Sequence, residues 1–148
     1  MTDTRATATG DDAAPVLLFD GECGLCSRAV QTILNNERER HTLRFAPLNG
    51  EYGRALRARH PELDSIDSMI WYDPPAGTIR ARSDAALCVC RYLGGRFRLY
   101  AGIGRLMPRR IRDWLYGVLA RHRHRIPVGR SRTCTLSGAD GQSERFLL

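Results

Sequence analysis

The chain has 148 residues, 43% of them apolar, and a formal net charge of +7. That is the size of one domain with a hydrophobic core, and the apolar content argues against a disordered polypeptide. No apolar run approaches the roughly 20 residues of a membrane-spanning helix, and the polar opening MTDTRATATGDDAA lacks the apolar centre of a secretory signal.

Residues 1–14 read as a disordered tail. Val16–Asp20 is an apolar run ending at Gly21 and reads as a buried strand. The apolar residues Cys26, Ala29, Val30, Ile33 and Leu34 then form the stripe of a helix buried on one face, closed by the charged stretch Glu37–Arg40. Leu43–Leu48 is a second strand. Asn49 can cap a helix through about His60, stopped by Pro61. Ser68–Tyr72 is a third strand, Asp73–Gly77 a turn, and Thr78–Arg82 a fourth strand returning antiparallel. Ser83 is expected to cap a helix Asp84–Leu93, which ends at Gly94 and Gly95. The order is β-α-β-α-β-β-α, a mixed sheet with helices packed on it.

Beyond Gly95 the pattern changes. Phe97–Met107 is apolar but interrupted by glycine. Pro108 can open a helix, in which Ile111, Trp114, Leu115, Val118 and Leu119 make a stripe expected to pack on the core. The charge is concentrated here. Residues 1–90 carry 10 Arg against 13 acids, whereas residues 91–132 carry 12 Arg against Asp113 alone. All 23 basic residues are Arg. The expected organisation is a tail at 1–14, an α/β domain at 15–95, a basic helical extension at 96–136 packed on it, and a flexible tail at 137–148.

The chemistry-bearing segment is Phe19-Asp20-Gly21-Glu22-Cys23-Gly24-Leu25-Cys26. It places Cys-x-x-Cys at the start of an amphipathic helix directly after a buried strand. A helix N-terminus offers free N–H groups and partial positive charge, which favour a thiolate at Cys23. Cys26, one turn on, lies on the buried stripe. It can attack a mixed disulfide formed at Cys23, so an exposed attacker is followed by a shielded resolver. Asp20 has two readings: a general base taking the proton from Cys26, or a cap of the strand-to-helix turn.

A metal site would need a second chelating pair. Cys88-Val89-Cys90 sits on a helix, where its side chains diverge by about 200°, so no metal is expected. The polar opening without a secretory signal leads to an expected cytoplasmic location, where the five cysteines would stay reduced, and their odd count and spacings fit no disulfide framework. Cys88 and Cys90 read as core or half-buried helix residues, and Cys134 as a loop cysteine or an additional exchange thiol. The four histidines show no ligand spacing with them. Trp71 and Trp114 read as core.

The combination of Asp20-x-x-Cys23-x-x-Cys26 with Phe45-Ala46-Pro47-Leu48, Arg82–Leu87, Arg112-Asp113-x-x-Tyr116, Arg121-x-Arg123 and a late Cys134 resembles the DCC family of thiol–disulfide oxidoreductases. The resemblance covers roughly residues 16–136. It implies a thioredoxin-like fold, in the short glutaredoxin-like form that the element order also matches, and a redox activity. Thioredoxins and glutaredoxins carry a cis-proline before the third strand. Here Ser65-Ile66-Asp67-Ser68 stands there without one, so the substrate edge must be built differently.

The expected function is therefore thiol–disulfide exchange by Cys23 and Cys26, with a protein or a low-molecular-weight thiol or disulfide as substrate. No cofactor is implied beyond the dithiol, with glutathione as a candidate co-substrate. Ser83 and Asp84, at another helix start, are candidate ligand groups for it, against the simpler reading of a cap and a first-turn acid. The alternative is a peripheral membrane or partner-binding module whose Cys pair is not catalytic. For the basic segment 96–132 the candidates are a solvated face, an anionic membrane surface such as the inner face of the cell membrane, and an acidic partner. The absence of a recognisable motif or aromatic array weighs against nucleic acid.

Overall fold

A computed structural model describes residues 14–37, 42–122, 125 and 145–147. The expectations for Cys134, His41 and His124 lie outside the described residues. Four strands, β1 (Val16–Phe19), β2 (Arg44–Pro47), β3 (Ile70–Asp73) and β4 (Thr78–Ala81), form one sheet in the order β2-β1-β3-β4. β1 pairs parallel with β2 and antiparallel with β3, and β3 pairs antiparallel with β4. Every residue of β1 is buried, as a central strand covered on both faces must be.

The side chains of β1 alternate between two cores. Leu17 and Phe19 join Phe45 and Trp71 beneath helix α1 (Gly24–Asn36) and helix α3 (Ser83–Leu93). Val16 and Leu18 join Ala46, Ile70 and Leu63 beneath Leu56 of helix α2 (Glu51–Arg59). This order, with its strand directions and helices on both faces, is a thioredoxin-like α/β fold. A 3₁₀ turn, Pro61–Leu63, follows α2 and buries Leu63.

Four local expectations change. Gly50, not Asn49, is the N-cap of α2. Ser83 is the first residue of α3 instead of its cap: Arg82 occupies the cap position, and the Ser83 hydroxyl bonds elsewhere. The glycine-interrupted segment after α3 is a helix, α4 (Gly95–Leu106), packed against α3. Gly94 (φ 66°) and Gly95 (φ 51°) make the turn between the two helices in the left-handed region that glycine tolerates. Part of the expected free tail is docked: Phe146 bridges Phe45 beside β2, and the Arg145 guanidinium forms a two-pronged pair with Glu37 at 2.8 and 2.9 Å.

The largest departure is helix α5 (Arg109–His122). It buries no residue. Ile111, Trp114, Leu115 and Leu119 are exposed, Trp114 at 62%, together with Leu99, Tyr100, Ile103 and Leu106 of α4. The apolar stripe that was expected to reach the core faces away from it. The helix is attached by its polar face: Arg112 bonds the Asp84 carboxylate, the Ser83 hydroxyl (3.0 Å) and the Gly104 carbonyl (3.2 Å), and Asp113 accepts from Ser83. Charge-assisted bonds around a half-buried guanidinium set the orientation that burial of the stripe would otherwise have set.

Candidate active site

The chain leaves β1 at Phe19 and enters α1 at Gly24, so four residues turn it from the sheet into the helix. Asp20 organises the turn. Its carbonyl accepts the Cys23 N–H at 3.2 Å, and its carboxylate accepts the Glu22 N–H at 3.0 Å. Cys23 is the N-cap of α1, in an extended conformation, and its carbonyl starts the helical ladder by accepting the Ser27 N–H at 3.0 Å. No side chain caps the helix and no acid lies in its first turn. The Cys23 side chain makes no capping bond either, and stands at the positive end of the helix dipole.

Both cysteines are reduced and both are buried, Cys23 at 3% exposure and Cys26 at 8%. The exposed attacker expected at Cys23 is instead folded into the core under α1, with Leu25 and Met69 packed against the same cluster. A dithiol introduced by a fully buried strand begins in the interior.

The two thiols remain inequivalent. Burial pushes the Cys26 thiol from its ordinary value of 9.0 up to about 12, helped by its hydrogen bond to Cys23 and by the negative charge of Cys23 and Asp20. A bond from the Asp20 backbone acts in the opposite direction. Cys26 therefore holds its proton and donates it toward Cys23. The Asp20 carboxylate caps the turn through the Glu22 N–H, and its charge is felt by Cys26.

Ser83 and Asp84 have partners within the chain. Asp84 is held by Arg112 and, at 3.2 Å, by Arg109, while Ser83 bridges Asp113 and Arg112. Cys88 is half-buried on α3 and packs against the cluster containing Cys23 and Cys26. Burial raises the Cys88 and Cys90 thiols, as expected of structural cysteines. Among the described residues, no group of three or more His, Cys, Asp or Glu side chains could hold a metal ion.

Sequence reasoning missed Ser68, Met69 and Arg82, which stand at the dithiol end of the sheet. β3 begins at Ile70, in register with Leu18 of β1 and Ala81 of β4, and the Arg82 N–H bonds the Met69 carbonyl at 3.1 Å. The missing proline before β3 was the one signal that this edge is built differently.

Replacing Asp20 separates its two roles. Asp20→Asn keeps an acceptor for Glu22 and removes the charge. It should leave stability unchanged and let Cys26 ionise at a somewhat lower pH, because the Asp20 charge raises that thiol, whereas Asp20→Ala should also cost about 1 kcal/mol from the lost turn bond. Denaturant unfolding of the reduced variants with residue-resolved thiol titration checks both. Equal behaviour of the two variants would contradict the division.

The model of the DCC1-like thiol-disulfide oxidoreductase family matches residues 17–128. The chain is 32% identical to the chloroplastic DCC family protein of Arabidopsis thaliana over 127 residues, 85% of this chain and 72% of that protein. It is 33% identical to protein YuxK of Bacillus subtilis over 133 residues, 89% of this chain and 93% of that one. No solved structure gives a significant match. With the dithiol at the mouth of a thioredoxin-like sheet and a family match across most of its length, the chain belongs to the DCC family of thiol–disulfide oxidoreductases.

Proposed function

We propose that the protein exchanges thiols and disulfides, with Cys23 attacking and Cys26 resolving. The observation that carries this reading is the place of Cys23 at the N-cap position of a helix whose start no side chain caps, one turn before a buried Cys26. The Cys23 thiolate bonds to one sulfur of a substrate disulfide, and the other sulfur leaves as a thiolate and takes up a proton. Cys26 then gives up its proton, with the Asp20 carboxylate as the base. Its sulfur bonds to Cys23 Sγ, and the remaining substrate sulfur leaves as a second thiol. The substrate gains two electrons and two protons, and the protein holds the Cys23–Cys26 disulfide until an external thiol, glutathione among them, reduces it. Because both thiols are buried, attack requires the edge of their cluster, where Leu25 and Met69 are partly buried, to open. A glutathione role for Ser83 and Asp84 would require Arg112 and Arg109 to release Asp84 first, so their proposed role is to anchor α5.

Cys26→Ser should accumulate a mixed disulfide through Cys23, and Cys23→Ser should lose disulfide reduction. Mass spectrometry of the protein after exposure to a disulfide reads both outcomes. Reduction retained by Cys23→Ser, with no mixed disulfide on Cys26→Ser, would contradict the mechanism and leave the Cys pair non-catalytic.

The outward face of α4 and α5 supports a second role, attachment of the protein to an anionic membrane surface from the cytoplasmic side. No helix of the described residues is long and apolar enough to cross a membrane. Leu99, Ile103, Leu106, Ile111, Trp114 and Leu115 are all exposed on these two helices, and clustered exposure of large apolar side chains marks interaction surfaces. Arg96, Arg98, Arg105, Arg109, Arg110 and Arg121 are exposed on the same two helices. Apolar side chains with tryptophan, flanked by arginine, suit the interface of an anionic bilayer. The protein should sediment with phosphatidylglycerol vesicles at low salt and be released as salt rises, and Trp114→Ala should weaken that binding. No sedimentation at low salt would remove this role, and tighter binding to RNA with a steeper salt dependence would replace it with nucleic-acid binding.

A further inference from the structure

We propose that the groove between the segment leading into β3 and the inner face of α5 is the specificity site of the dithiol, and that it selects disulfides and thiols carrying a carboxylate. The proposal rests on the exchange reading above and names its substrate class. The groove encloses about 420 Å³ and is lined by Asp67, Ser68, Arg82, Asp113, Tyr116 and Arg121, among others. Its position follows from the strand register. Ile70 stands opposite Leu18 and Ala81, so Ser68 and Arg82 lie at the carboxyl end of β1, the end from which Asp20 and the dithiol emerge. Met69, next to Ser68, packs against the cluster that contains Cys23 and Cys26.

Two independent features mark this groove as a binding site. Ser68 is 8% exposed, and its hydroxyl is fully buried without a hydrogen-bond partner among the described residues. Buried polar atoms are nearly always paired, so an unpaired one lining a groove points to a ligand group that completes it. Arg82 has φ 56° and is the non-glycine residue with positive φ among the described residues. Its backbone is fixed in that costly conformation by bonds to Met69 and from Ala86 (3.2 Å). Backbone strain of this kind persists where the surrounding structure enforces it, and it collects at binding sites.

The charges define the ligand. Asp113 is engaged by Ser83 and by Arg109 at 3.6 Å, and Asp67 also has a partner within the chain. Arg82 and Arg121 form no ion pair among the described residues, and Arg121 is bonded only to the carbonyl of Gly117 in its own helix. Two guanidinium groups and a hydroxyl donor match the planar oxygens of a carboxylate. The two aspartates limit the positive field, which favours a monoanion over a phosphate dianion. A carboxylate seated here would bring the sulfur of the same small molecule to the dithiol end of the sheet.

The experiment mixes the fully reduced protein with excess dithiodipropionate, hydroxyethyl disulfide or cystamine, which carry carboxylates, hydroxyls and ammonium groups on similar frames. It follows oxidation of the Cys23–Cys26 pair in a single turnover, each rate being normalised to that disulfide's reaction with dithiothreitol. Dithiodipropionate should be favoured over cystamine by about tenfold or more. Arg82→Gln should remove most of that preference, slowing dithiodipropionate far more than hydroxyethyl disulfide, and Ser68→Ala should reduce it in part. Arg121→Gln, at an exposed helix position, gives the same reading if the Arg82 variant does not fold. Equal normalised rates for all three disulfides, or an Arg82→Gln and Arg121→Gln effect shared equally by all three, would overturn the carboxylate site while leaving exchange intact. Oxidation by none of the three would overturn the exchange reading and this proposal with it.

Discussion

The site depends on one constraint: a strand buried on both faces must hand the chain to a helix within four residues. β1 lies in the centre of the sheet with no exposed residue. The turn after it is held by Asp20, through its carbonyl to Cys23 and its carboxylate to Glu22. The first thiol is thereby fixed at the helix N-terminus and the second is carried one turn into the core. Inequivalence of the two sulfurs follows from this geometry without any metal or cofactor. Cys26 is protonated because it is buried and bonded to Cys23, while Cys23 sits where a helix most favours negative charge.

The same constraint buries Cys23. Disulfide exchange requires the attacking sulfur to be exposed at least transiently, and the cluster that buries it is bordered by partly buried side chains, Leu25 and Met69 among them. These are side chains at the edge of a packed cluster, where local opening is cheaper than in the centre of the sheet. A buried, proton-sharing pair opened by its substrate would also resist adventitious oxidation better than a permanently exposed thiolate.

The fold and the dithiol were legible because they rest on patterns that burial enforces. The apolar run at β1, the stripe from Cys26 to Ile33 and the turn at Asp73–Gly77 each state their partner in the sequence. The extension was harder to read. Gly95, Gly102 and Gly104 lowered the helical signal of α4, yet Gly104 faces Leu87, where an added Cβ would stand 2.8 Å from its side chain. Gly104 therefore serves packing between α4 and α3. The stripe of α5 was visible, but its direction was not. A helical stripe tells which residues share a face, and only the capture of Arg112 and Asp113 by Ser83 and Asp84 tells which way that face points. The proline-free segment ending at Ser68 and the motif opening at Arg82 were visible in the sequence, but an unpaired buried hydroxyl and a positive φ exist only once the chain is folded.

Residue-resolved titration of the reduced protein tests the central claim most directly. Cβ chemical shifts of carbon-labelled cysteine, followed across pH, report each thiol separately. The account predicts that Cys26 stays protonated until the pH nears 12, and that Cys23→Ser moves its ionisation part of the way down, since burial, the largest cause, remains while the charge of Cys23 is lost. Ionisation of Cys26 at its ordinary value in the native protein, unchanged by Cys23→Ser, would contradict it.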